Sequence, residues 1–311
     1  MVKKKKMKKR IFLGINYIIS FGILIVLFKK LDLSIAIGKI MMSDPGLIII
    51  AVMISVFFRL FLFSYFWQNT LNSTGKHLNF WDIFKINAVS LPLKYVVPFK
   101  INDVVRAAGL KAFTNTDFSF GLSSSVFIRI LIICGTGIWF ATGILLTGIL
   151  TYYWLVLIII GIVFVLLSFF PKIELNNKEK TWLFAVLDGF IQITKKSRIK
   201  DLFNWWFFQS GEIITSILLF KAIGLDIGLQ QFLYYIPLMM LLSMLPISIQ
   251  GIGLREGFLV LNMTGFGSQE SLLSAGLLIT IVHHLIPAFI GSIIWLVSIN
   301  QRIFVLNVVK E

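Results

Sequence analysis

From Ile11 to Ile299 the chain repeats one pattern, a long apolar run followed by a short polar or basic stretch. Ile11 to Phe28 is eighteen residues without a charge, and Pro45 to Trp67, Phe118 to Leu150, Tyr152 to Phe170, Leu202 to Phe220, Gln231 to Pro246 and Ser271 to Ile299 follow it. A helix needs roughly 20 apolar residues to cross a bilayer core of about 30 Å. Only 14% of the residues are charged, against about 25% in soluble domains. The pattern predicts an all-α, polytopic helical membrane protein of six to eight transmembrane helices. Residues 11–300 read as one transmembrane domain between a basic tail, 1–10, and a C-terminal tail, 301–311.

Two stretches break the pattern. Leu242 to Leu261, LSMLPISIQGIGLREGFLVL, is apolar at both ends but holds Pro246, Gly251, Gly253, Arg255 and Glu256 in its middle. Proline removes a backbone donor and clashes with the preceding turn, and the glycines loosen the chain further. Unpaired backbone and charge at membrane depth are tolerated only against protein or a water-filled cavity. The segment about 246–262 is therefore expected to be re-entrant or broken and to line a polar cavity, the plainer alternative being a cytoplasmic loop between two ordinary helices. Ala88 to Phe99 is apolar, short, and carries Pro92, Lys94 and Pro98; it predicts a second irregular segment at about 88–99, with a short basic helix from Ile101 to Phe113. Both stretches run Leu-Pro, a few apolar residues, a turn rich in breakers, then an acid and an arginine opening a helix. Broken segments at matching places in two halves point to a transporter's binding site.

The net charge of +15 comes from 29 basic residues scattered between apolar runs or gathered at MVKKKKMKKR. That distribution marks cytoplasmic loops rather than a nucleic-acid surface and puts the N-terminus in the cytoplasm. In the basic loop 172–200, Trp182, Ala185, Val186, Gly189, Phe190 and Ile193 recur at helical spacing, which predicts an amphipathic helix lying on the anionic leaflet. Cys134 is the one cysteine, so neither a disulfide framework nor a thiolate metal site is expected. His283 and His284 are adjacent, point about 100° apart on a helix, and cannot both face one ion. No hydrolase, metalloprotease or nucleotide-binding motif is present. No cofactor and no enzymatic activity are expected.

Ionisable groups at membrane depth carry the functional information. Arg129 and Glu212 sit inside apolar runs, each at about 2.5–3.5 kcal/mol on insertion scales. They should face inward and find partners. Arg59 can snorkel to the headgroups, the simpler expectation, or point into the bundle. Asp103, Arg106, Arg255 and Glu256 lie at the ends of the broken segments. A fold-stabilising ion-pair network is one reading of these charges. A cavity for a charged headgroup is the other, because a guanidinium fork matches phosphate and a helix N-terminus offers free amide donors. Glu212 and His283 are candidates for intramembrane coupling.

LPISIQGIGLREG, Leu245 to Gly257, followed by Thr264-Gly265-Phe266, resembles the Leu-Pro-x-Ser-x-x-Gly-x-Gly-x-Arg-Glu-Gly signature of the lysylphosphatidylglycerol synthase transmembrane-region family, the flippase-like integral membrane proteins. Gln250 stands where that signature often has another glycine. PFKINDVVRA, Pro98 to Ala107, resembles the family's Pro-Gly-Arg-x-Gly-Glu-x-x-Arg segment, with Lys100 for arginine, Asp103 for glutamate, and Phe99 and Asn102 for the glycines. Arg129 stands where the family tends to place Glu-Arg, but Ile128 and Ile132 replace the neighbouring acids. The resemblance spans about residues 10–300. It implies a helical membrane domain with re-entrant helices, and it adds Lys100 to Arg106, Arg129, Arg255, Asp103 and Glu256 as headgroup-binding candidates. The soluble synthase and glycosyltransferase domains joined to this region in some relatives are not found in the sequence, so lysyl transfer is not expected.

These readings converge on a cell-membrane protein that binds a phospholipid or lipid-linked substrate and moves it between leaflets. A membrane subunit or scaffold for a separate lipid-modifying enzyme or glycosyltransferase chain, and a small-solute secondary transporter, are the alternatives. Membrane lipids are the expected partners, nucleic acid is not, and the sequence leaves the oligomeric state open.

Overall fold

The computed structural model describes residues 22–96, 102–148, 182–196, 198–244, 248 and 250–297, and every regular element among them is helical. The start of the first apolar run, the run Tyr152 to Phe170, both tails, Pro98, Lys100 and Pro246 lie outside the described residues. Residues 22–30 form α1. Helix α2, Leu33–Met41, is capped by Asp32, whose carboxylate accepts from the Ser34 and Ile35 amides. Helix α3, Pro45–Val56, is capped by Asp44 with Pro45 in its first turn, where the missing N–H costs nothing. It passes through a π-helical segment, Phe57–Leu62, into α4, Phe63–Asn72.

The chain continues as α5, Phe80–Val96; α6, Asn102–Thr114; α7, Phe118–Thr147; α8, Trp182–Lys196; α9, Arg198–Ala222; and α10, Leu229–Ser243. It then forms α11, Leu254–Asn262, and α12, Gln269–Thr280, which runs through a second π-helical segment, Ile281–Leu285, into α13, Ile286–Val297. Among the described residues Pro45–Asn72, Phe118–Thr147 and Gln269–Val297 are long and apolar enough to cross a membrane. The chain is a polytopic membrane protein. Helices α6 and α11, of 13 and nine residues, reach only about 20 Å and 14 Å at 1.5 Å per residue, short of a bilayer core. Each packs against the helix before it, α6 on α5 and α11 on α10.

Residues 80–96 form one helix that keeps Pro92 inside it, so the chain does not break at Ala88 or at Pro92; residues 97–101 lie outside the described residues. Proline frees the carbonyl four residues earlier, here that of Ala88. Gly291 of α13 lies directly against that carbonyl, where any Cβ would collide with it. The same arrangement recurs in α10. Pro237 frees the Leu233 carbonyl, and Gly143 of α7 packs on it with no room for a Cβ. Small residues that let backbones touch are the usual means of holding helices together in lipid, where no hydrophobic force acts between them. Near Pro287 the chain does not break; it widens into the π segment just before the proline.

Two large apolar cores result, with three smaller clusters beside them among the described residues. One joins α1, α3, α9, α10, α11 and α12 through Leu27, Ala51, Phe220, Phe232, Leu259 and Ile279. The other, rich in aromatic rings, joins α4 to α9 through Phe63, Trp67, Ile83, Leu110, Phe127, Phe190 and Trp205. Helix α8 belongs to this second core. Phe190, Ile191 and Ile193 are buried, and a Cβ on Gly189 would meet Ser123 of α7. The expectation that its apolar face lies on the leaflet is therefore corrected. Amphipathic spacing specifies a buried face but not the surface that covers it.

Candidate functional site

A cavity of about 220 Å³ lies between the two cores. Phe63, Ile128 and Phe208 of the aromatic core bound it on one side, and Met239, Met240 and Ile279 of the other core bound it opposite. Its polar lining is Arg59, Asn102, Asp103, Arg106, Ser125, Arg129, Gln209, Glu212, Ser243, Gln250, Arg255 and His284. Residues from both interrupted segments therefore face one hollow.

Arg106 sits one turn into α6, 9% exposed. Its Nη2 donates to Asn87 Oδ1 at 2.9 Å, and the guanidinium lies over the Phe63 ring, 4.2 Å from the centroid, and near Trp67. Asn87 is fully buried, and its Nδ2 donates to the Arg59 carbonyl at 2.9 Å and lies 3.1 Å from Ser64 Oγ. Arg59 lies in the first π segment, whose wider turn leaves carbonyls short of their helical donors. In the second π segment the Val282 carbonyl accepts from Ser55 Oγ of α3 at 3.0 Å. Both π segments thus sit beside the cavity with a carbonyl held by a side chain of another helix.

Arg59 does not snorkel. It points into the bundle and forms an ion pair with Glu212 of α9. Arg129 of α7 pairs with Asp103 Oδ2 of α6 at 2.6 Å. The two charged residues flagged in mid-span therefore both find partners, as the cost of a lone charge in lipid demands.

Arg255 is 3% exposed, and its Nη2 donates to the Gln250 carbonyl at 2.8 Å. The turn that makes this contact has positive φ at Gln250, Gly251 and Gly253, at 54°, 81° and 83°. Glycine accepts that conformation freely, whereas other residues pay sterically. The breakers at 251 and 253 therefore build the turn that positions Arg255. Pro92 acts inside α5, as described above.

Two of the predicted site residues lie away from the lining. Glu256 is fully buried, but its Oε2 accepts from the Gly253 amide at 2.7 Å and its Oε1 from Thr280 Oγ1 at 2.6 Å. It caps α11 and ties it to α12, and it is not among the lining residues. The reason is positional, because the third residue of a helix reaches back to the amide at its start. His283 is buried against Thr215 Oγ1 of α9, while His284 is the histidine that lines the cavity. Asn87, Asn102, Ser125 and Gln209 were missed by the sequence reading. An asparagine or glutamine inside an apolar helix was the available signal.

Several polar atoms of the lining are buried with no partner among the described residues: Nε of Arg59, Arg106 and Arg255, Asn102 Oδ1, Ser125 Oγ and Gln209 Oε1. Buried polar groups are nearly always satisfied, so this hollow is built for water or a polar ligand rather than for hydrocarbon. No group of three or more potential metal ligands occurs among the described residues. A family model described as the lysylphosphatidylglycerol synthase TM region matches residues 13–291. No curated protein matches the chain.

Proposed function

The chain belongs to the lysylphosphatidylglycerol synthase transmembrane-region family, and from that premise we propose that it takes a lipid headgroup into the cavity and carries it between leaflets while the acyl chains stay in the bilayer. The supporting observation is one hollow, inside an apolar bundle, that gathers a buried arginine from each of two short helices. Charge at that depth is costly, and a headgroup is the charged group a bilayer supplies beside an apolar tail.

In this reading the protein is a carrier of the cell membrane rather than an enzyme. Its N-terminus is cytoplasmic, membrane lipids are its partners, and a separate lipid-modifying enzyme chain is a further partner it could serve. Uphill movement would draw on an ion gradient, with Glu212 beside Arg59 as the group able to exchange a proton; otherwise movement is passive. The test is transbilayer movement of fluorescent phospholipids in proteoliposomes. Movement above protein-free vesicles, slowed by Arg255→Gln, supports the proposal. No movement across a lipid panel, or movement untouched by Arg255→Gln, overturns it. In cells, a changed leaflet distribution marks transport, whereas a missing lipid species marks synthesis.

A further inference from the structure

We infer that the cavity selects a small anionic headgroup, with phosphate as the recognised group, and turns away a cationic one. The inference rests on the lipid-binding reading above and concerns which lipid the same site takes.

Four guanidinium groups face the cavity against two carboxylates. Both carboxylates are already engaged, Glu212 by Arg59 and Asp103 by Arg129. Arg106 and Arg255 meet only neutral acceptors among the described residues, the Asn87 carboxamide and the Gln250 carbonyl. Both are at least nine-tenths buried, and the Nε of each lacks a partner among the described residues. A buried charge is costly unless an opposite charge meets it. An anion supplies that charge here, and a planar guanidinium presents parallel N–H groups to phosphate oxygens. A cationic headgroup would add positive charge to a lining that already sets four guanidinium groups against two carboxylates, both of them paired.

Size points the same way. The volume of about 220 Å³ is below the roughly 300–1,000 Å³ of pockets for drug-sized ligands. A phosphate with one short hydroxylated substituent fits within that volume. Ser125 Oγ, Asn102 Oδ1 and Gln209 Oε1 are the unpartnered atoms that would meet such hydroxyls.

The experiment measures binding to the purified full chain in neutral nanodiscs by thermal shift and native mass spectrometry. The probes are phosphatidylglycerol (anionic), phosphatidylcholine (zwitterionic), lysylphosphatidylglycerol (cationic) and inorganic phosphate. Phosphatidylglycerol is expected to bind at least about tenfold tighter than the lysyl ester, given the strength of charge pairs away from bulk water. Asn87→Asp, which sets a carboxylate against Arg106, should narrow that ratio, and so should Arg129→Gln, which releases Asp103. Equal or tighter binding of the lysyl ester overturns the inference while leaving lipid binding in place. Binding of inorganic phosphate alone overturns the lipid reading but supports the anion preference. No binding of any probe overturns both.

Discussion

Asn87 holds Arg106 with its carboxamide oxygen at 2.9 Å and, with its nitrogen, satisfies the Arg59 carbonyl. One buried amide thus fixes two of the four arginines that face the cavity. Asn87→Ala should leave a buried guanidinium and a π-segment carbonyl unsatisfied, at a cost of about 1–3 kcal/mol for each lost partner. The loss is read as a lowered unfolding midpoint in detergent. Asn87→Asp should restore the Arg106 contact alone, because it keeps the acceptor and adds an opposite charge but cannot donate to the Arg59 carbonyl. Equal midpoints for Asn87→Ala and the parent chain would show that the amide orders nothing.

Arg59 and Glu212 make a largely buried pair, 14% and 19% exposed at their side chains. Removing one partner of such a pair strands the other charge and costs about 3–5 kcal/mol. Glu212→Gln and Arg59→Gln should each destabilise strongly, whereas Arg59→Met combined with Glu212→Leu should recover much of the loss. A double-mutant cycle in detergent or nanodiscs measures the coupling. Additive losses would show that the two groups act independently.

The turn before α11 depends on its glycines. Gly251 and Gly253 have φ of 81° and 83°, so alanine at either should cost about 1–2 kcal/mol of backbone strain. At Gly251 a Cβ would also lie 2.7 Å from the Ser243 Cβ. Gly265 has open space around it and serves as the control, with Gly265→Ala expected within about 0.5 kcal/mol of the parent. If all three substitutions behave alike in thermal unfolding, the turn geometry is not what holds Arg255.

Gly143 and Gly291 pack on carbonyls freed by Pro237 and Pro92. Gly143→Leu and Gly291→Leu should force α7 from α10 and α13 from α5. Overpacking of this kind costs typically about 1–3 kcal/mol and often more where backbone is the obstacle. Gly148, at the end of α7 with nothing near its Cβ site, is compared as Gly148→Asn, which keeps a left-handed residue there. Loss of folded yield on size exclusion for the two buried sites, with Gly148→Asn retained, is the expected result.

Much of this protein follows from its sequence alone. Long apolar runs dictate helices because a bilayer offers no partner to a bare backbone. A proline, glycines and adjacent charges together in the middle of Leu242 to Leu261 identify an interruption, because charge and freed backbone at membrane depth need protein or water against them. Lone charges at Arg129 and Glu212 imply inward faces and partners. Which partner each charge takes was decided only when the helices packed. The pairs Arg59–Glu212 and Arg129–Asp103 join residues 153 and 26 positions apart, and nothing in local spacing relates them. Packing also turned Glu256 into a helix cap, put His284 rather than His283 on the cavity, covered α8 with protein and kept Pro92 inside a helix. In each case local chemistry states what a group requires, and the tertiary arrangement determines which neighbour is close enough to meet it.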